Sequence, residues 1–205
     1  MKDKNLTKRK LIDAVGEIIN SKGFRAVRTS SVARIAGVDR KLVYRYFGNL
    51  NNLTEAYIIE NDYWMLFSDQ LKKLLNEAKT EESGMIISGI LQELFKFFLQ
   101  EKEMQNLILM ELNGGNRMMQ SIHNARESLG QDFLEITDPH FINSTVNFRA
   151  VAALLVGGIY YIILHTRSNG NKFADINVKS GDGANAILET IAQVVDWAFK
   201  AAGTP

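Results

Sequence analysis

The sequence predicts an all-α fold: an N-terminal three-helix head over residues 1–48 carrying a helix-turn-helix, joined by a long helix to a larger α-helical body over residues 49–205. Three observations predict it. Only two prolines interrupt 205 residues. Three runs of twenty or more residues are compatible with helix. The alternation of apolar and polar residues that marks a half-buried strand is sustained nowhere.

The first helix is expected to start after Thr7, a suitable N-cap. Leu11, Ala14, Val15, Ile18 and Ile19 give it an apolar stripe, and Lys22-Gly23 stops it. Its first turn would then be Lys8-Arg9-Lys10. Cations at a helix N-terminus oppose the macrodipole by roughly 0.3–1 kcal/mol each, so this end is expected to lie over a phosphate backbone rather than in open solvent.

The stretch from Thr29 to Phe47 carries the helix-turn-helix spacing. Val32, Ile35 and Ala36, then Val38, Leu42, Val43 and Tyr46, bury one face of each of two short segments. Ala33 is small where crossing helices approach, and Gly37 stands where the chain must leave the first helix through a left-handed conformation. The second helix, about Arg40 to Phe47, presents Arg40, Lys41, Tyr44 and Arg45 as a recognition element for the major groove. The plainer alternative is an ordinary basic surface helix. Charge speaks against it: residues 1–48 hold twelve basic and four acidic residues, or +8, and the remainder twelve and nineteen, or −7, within a net +1. A near-neutral chain with a strongly basic head points to a polyanionic partner for the head alone.

Residues of about 7–57 resemble the DNA-binding domain of the TetR (tetracycline-repressor-like) family of bacterial transcriptional regulators. The resemblance rests on the helix-1 stripe, Gly23-Phe24, Ile35-Ala36-Gly37-Val38, and Tyr44-Arg45-Tyr46-Phe47 followed by Leu53. It implies phosphate contacts at Thr29 and Tyr44 and base reading by Arg40 and Lys41. The full expected DNA-binding set is Lys8, Arg28, Thr29, Ser30, Arg40, Lys41, Leu42, Tyr44, Arg45, Tyr46 and Asn49. Two positions depart from the family pattern. Val27 stands where Ser or Thr often begins the second helix, and Leu50 where a lysine usually begins the fourth, so Asn49, Asn51 or Asn52 is expected to replace that backbone contact.

Beyond the head, one long helix is expected from Leu50 into the seventies. Helices at Met85–Leu99, Glu101–Leu112 and Arg117–Thr137 follow, the last stopped by Asp138-Pro139. Ala150–Leu164 is apolar all round. Its fifteen residues fall short of the roughly 20 that span a bilayer, so burial against other helices is the expectation. With Ala184–Ala202 it suggests a homodimer closed by a four-helix bundle through Ala153, Val156, Gly157, Tyr160, Ile191, Val194, Val195 and Ala198. The alternative is that both helices are protomer core.

The resemblance further implies an apolar small-molecule effector held in the body, whose entry shifts the fourth helix and spreads the two heads on a palindromic operator. Flexible and aromatic side chains suited to such a pocket are Trp64, Phe67, Phe95, Phe98, Leu107, Met110, Met118, His123, Tyr160 and Tyr161, with Glu111, Arg117 and Arg126 as further polar handles. A Met and aromatic stripe at helical spacing is core more often than pocket. No cofactor, metal or catalytic residue is expected. Cysteine is absent, no histidine follows a glutamate at i−3, and no nucleophile elbow or phosphate-cradling loop is present. The N-terminus lacks an apolar h-region, and a cytoplasmic protein is the expectation. The function that follows is a DNA-binding transcriptional regulator, by family habit a repressor released by its ligand. Alternatives are an effector-free or protein-regulated DNA binder and, remotely, a helical-bundle enzyme.

Overall fold

A computed structural model describes residues 4–77, 82–112 and 117–203. The head is α1 (Lys4–Lys22), α2 (Thr29–Ala36), α3 (Lys41–Phe47) and α4 (Leu50–Asn61), with a short 3-10 turn at Phe24–Ala26 between α1 and α2. Helix α1 buries Leu11, Ile12, Ala14, Val15, Ile18 and Ile19 on one face against Val32, Val43, Leu53, Tyr57 and Ile58. It begins at Lys4, before the expected Thr7 cap, and Thr7 faces inward at 7% exposure. Lys8-Arg9-Lys10 therefore occupy the second turn. Since the terminal dipole effect fades within the first turn, the electrostatic argument for these three cations does not hold.

Gly37 ends α2 at φ 66°, and the amide of Val38 donates to the Ala33 carbonyl at 3.0 Å. The chain then turns into α3, where the carboxylate of Asp39 accepts the Lys41 N–H at 2.8 Å. Gly48 closes α3 at φ 81°, and Asn49 caps α4 by accepting the Asn52 N–H at 2.8 Å. Helices α1 and α4 meet at Gly16, where a Cβ would stand 2.7 Å from the Tyr57 ring.

The expected single helix from Leu50 into the seventies is broken twice, giving α5 (Tyr63–Leu66) and α6 (Ser68–Glu77). The first break is at Asp62 (φ −106°, ψ 124°), whose carboxylate accepts the Met65 N–H at 3.2 Å and so starts α5 afresh. Aspartate competes with the helical backbone in this way, while the apolar period runs on through the break and conceals it.

The body continues as α7 (Ser83–Gln100), α8 (Lys102–Leu112), α9 (Arg117–Phe141), α10 (Phe148–Ser168) and α11 (Gly181–Ala202). Pro139 does not stop α9, which runs on to Phe141, because a proline in the last turn removes only one donor near an end already short of partners. The loop before α11 holds a small antiparallel hairpin, β1 (Lys172–Phe173) with β2 (Ile176–Asn177), an addition to the expected all-α fold. Ala174 and Asp175 both take positive φ, as a tight two-residue hairpin turn requires.

Helix α7 runs through the centre of the body. Leu91, Leu94, Phe95 and Phe98 pack with Met104 and Ile108 of α8, Phe133 of α9, Ile159 and Ile163 of α10, and Ile191, Val195 and Ala198 of α11. The head core does not close on itself. It takes in Leu107 of α8 and Ile122 of α9, exposed by only 0% and 2%, so head and body share a hydrophobic seam.

Candidate nucleic-acid interface and body cavity

On the head, Arg28, Ser30, Arg40, Lys41, Tyr44, Arg45 and Asn49 are exposed, Tyr44 by 56%. The buried Val43 on the opposite side of α3 fixes which face turns outward. Thr29, at the first position of α2, is half-buried. Lys8 lies over the Phe47 ring, 5.7 Å from its centre, which places an α1 cation at the end of α3. Leu42 and Tyr46 of the expected DNA-binding set are half-buried and pack against the head core, on the apolar face where their spacing puts them, so they brace α3. The Arg45 guanidinium lies over the Tyr46 ring at 5.9 Å. Of the asparagines expected to replace the missing lysine, Asn52 spends its amide on the Phe47 carbonyl at 2.8 Å. Asn49, although it caps α4, stays exposed.

The body holds a cavity of about 750 Å³ between α5, α7, α8, α9 and α10. Trp64, His123 and Tyr160 line it, as expected from sequence. The remaining expected lining residues whose side chains are described do not. Phe95, Phe98 and Leu107 are fully buried core, at 1%, 0% and 0% exposure. Phe67 packs in an aromatic cluster, tilted on Tyr63 and edge-to-face with Phe97, Met110 packs against the head core, and Tyr161 points outward at 57% exposure beside His165 and Phe173. The Met118 side chain lies outside the described residues. Ile87, Ile90, Leu91, Ile108, Phe133 and Leu134 supply the apolar wall. The aliphatic part of this wall is indistinguishable from core by periodicity.

A polar cluster stands at one side of this cavity. The indole of Trp64 donates to the Tyr160 hydroxyl at 2.9 Å. Arg126 pairs with both Asp62 and Glu111, its Nε donating to Asp62 Oδ2 at 2.8 Å, and Glu111 reaches His123 Nδ1 at 3.0 Å. Burial pulls the Arg126 pKa down, but Asp62 and Glu111 outweigh it and hold the guanidinium firmly charged. Burial pushes the Tyr160 phenol up, so it is a neutral hydroxyl. Since Asp62 also separates α4 from α5, the cluster links the cavity wall to the last helix of the head.

Residues 11–57, which span this head, match the family described as bacterial regulatory proteins, tetR family. Over these residues the head matches the TetR family. AlkX, an HTH-type transcriptional regulator of Mycobacterium tuberculosis, is 25% identical over 104 residues, which cover 51% of this chain and 46% of the relative. The chain thus spans about half the length of the curated relative it matches. Two solved structures share the whole fold. FadR of Bacillus halodurans, a fatty acid degradation regulator, aligns with TM-score 0.63 at 17% identity over 91% of this chain and 96% of its own. FadR of Bacillus subtilis, solved in complex with stearoyl-CoA, aligns with TM-score 0.60 at 18% identity over 91% and 98%.

The body leaves apolar surface uncovered. Helix α10 has 21 residues rather than fifteen, and it is long and apolar enough to cross a membrane by length and composition, with 17% of its apolar window buried. Leu154 is 77% exposed and Tyr161 57%, and Trp197 of α11 is 60% exposed. Ala153 and Gly157 are exposed and stand at the cavity lining. The other expected interface residues divide. Ile191, Val195 and Ala198 are buried in the protomer core at 3%, 1% and 8%, because they occupy the face of α11 turned to α7. Val156 and Tyr160 line the cavity, and Val194 is half-buried.

Proposed function

We propose that this chain is a sequence-specific DNA-binding transcriptional regulator that acts as a cytoplasmic homodimer and, by the habit of its family, as a repressor released when a small apolar molecule fills the body cavity. The observation that carries the reading is the outward row Arg40, Lys41, Tyr44 and Arg45 on a helix whose other face is locked by Val43. Such a row fits the major groove, with the arginines and lysine donating to guanine acceptors. The uncovered apolar stripe of α10 and α11 fits a second copy, and two-fold symmetry then calls for a palindrome-like operator with half-sites roughly 34–36 Å apart. The long-chain ligand of a structural neighbour and the apolar wall of the cavity support an effector with an extended hydrocarbon part. Its entry beside Arg126 and Trp64 would move Asp62 and with it the end of α4, changing the separation of the heads.

Binding-site selection from random duplexes, followed by titration of the selected site, tests the reading. A palindromic consensus is expected, bound by a species of twice the protomer mass in light scattering. The Arg40→Ala variant should relax base preference, while Lys8→Ala should weaken all sequences alike. Affinity should fall with salt at a slope near −0.9 per phosphate neutralised. Failure to enrich any sequence at low salt would refute the proposal.

A further inference from the structure

We infer that the cavity selects a long-chain amphiphile whose head group donates hydrogen bonds and carries no negative charge, an amine or alcohol rather than a carboxylate. This rests on the effector reading above and specifies its chemistry. The cations are the reason. Among the described residues, Arg126 and Arg149 are the basic side chains lining the cavity beside His123, and each already serves carboxylates. Arg126 is held between Asp62 and Glu111, with side-chain exposure of 9% against 0% and 24%. Arg149 donates to Asp138 through Nε at 3.1 Å and Nη2 at 2.6 Å. Glu127 adds a further carboxylate to the lining. Two guanidinium groups thus serve or face four carboxylates, and an anionic head would enter as a fifth negative group with no uncommitted guanidinium among the described residues to receive it. Beside the buried Arg126 and Asp62, at 9% and 0% side-chain exposure, an unpaired negative charge is strongly disfavoured.

A donor head meets the opposite situation. Glu111 spends one oxygen on Arg126 and turns the other toward His123, which is itself 49% exposed and free to swing away. That second oxygen is an acceptor at the cavity wall. An ammonium or hydroxyl placed there replaces the imidazole without unseating Arg126 from Asp62.

Titration calorimetry of the full-length protein with decylamine, decanol and decanoate, three heads on one chain, decides the matter. Decylamine should bind at least about tenfold tighter than decanoate, with decanol between them. Glu111→Gln should shrink that gap by weakening the amine and strengthening the acid, and its melting midpoint reports that it is folded. Ala152→Trp, which puts an indole in the cavity, should abolish binding of all three. Decanoate binding as tightly as decylamine would overturn the head-group inference alone, as would an amine preference that survives Ala152→Trp. If none of the three binds, the effector reading falls with it.

Discussion

The side-chain amide of Asn106 donates to Oδ1 of Asn20 at 2.7 Å, tying α8 of the body to the last turn of α1 in the head. Arg167, near the end of α10, in turn donates to Asn106 Oδ1 at 2.8 Å and to Gln105 Oε1 at 3.3 Å. A polar chain therefore runs from α10 through α8 to the head, on a route that does not pass through α4. Asn106→Ala should lower stability by about 1 kcal/mol, the usual net worth of one such bond. Hydrogen exchange should then speed up in the last turns of α1 more than in α2 or α3. Uniform exchange across the head would show that the bond does not hold it.

Asp62→Ala removes a fully buried carboxylate that both starts α5 and neutralises Arg126. Stranding one member of a buried pair costs roughly 3–5 kcal/mol, an upper bound here because Glu111 still holds Arg126. Denaturant unfolding should register that loss in the single variant. The double variant Asp62→Ala with Arg126→Met should recover part of it, since the buried guanidinium goes too and the Glu111 carboxylate left behind is 24% exposed to water.

Gly16→Ala places a methyl where the Tyr57 ring already lies, and that ring is 5% exposed with α1 and α4 on either side. Overpacking of this kind costs about 1–3 kcal/mol. The melting midpoint should fall, and pairing the change with Tyr57→Leu should restore much of it.

Burial pushes the phenols of Tyr57 and Tyr63 up to about 12. Their neutral forms are favoured in the fold, so this contribution is complete below the ordinary tyrosine value near 10 and is lost as pH rises from about 10 to 12. Stability measured across that window should fall more steeply for the wild type than for Tyr57→Phe or Tyr63→Phe. Parallel curves would refute the assignment.

The head was legible because each of its instructions is local. Gly37 needs a positive φ, Val43 and Val32 repeat at helical spacing, and the charged residues between them have nowhere to go but outward. The break at Asp62 was not legible, since the apolar period runs on through it, and the Arg126 that bonds the same carboxylate lies 64 residues away in sequence. The cavity was half legible for a related reason. Glu111, His123, Arg126 and Tyr160 stood out as polar groups in apolar helices, but whether Phe98 lines a void or fills one is set by how α7, α8 and α10 pack around it. Likewise the composition of α11 marks it as apolar, while only its packing on α7 shows that Ile191 and Val195 turn inward and Trp197 outward.

Leu107 and Ile122, lent by the body to the head, bear on how separable the two parts are. A fragment cut after α4 would leave the greasy underside of α1 and Ile58 open to water, and it should clump or melt rather than survive as a portable module. For this chain the reading head and its controlling body are one folding unit, so a change sensed in one has a packed route into the other.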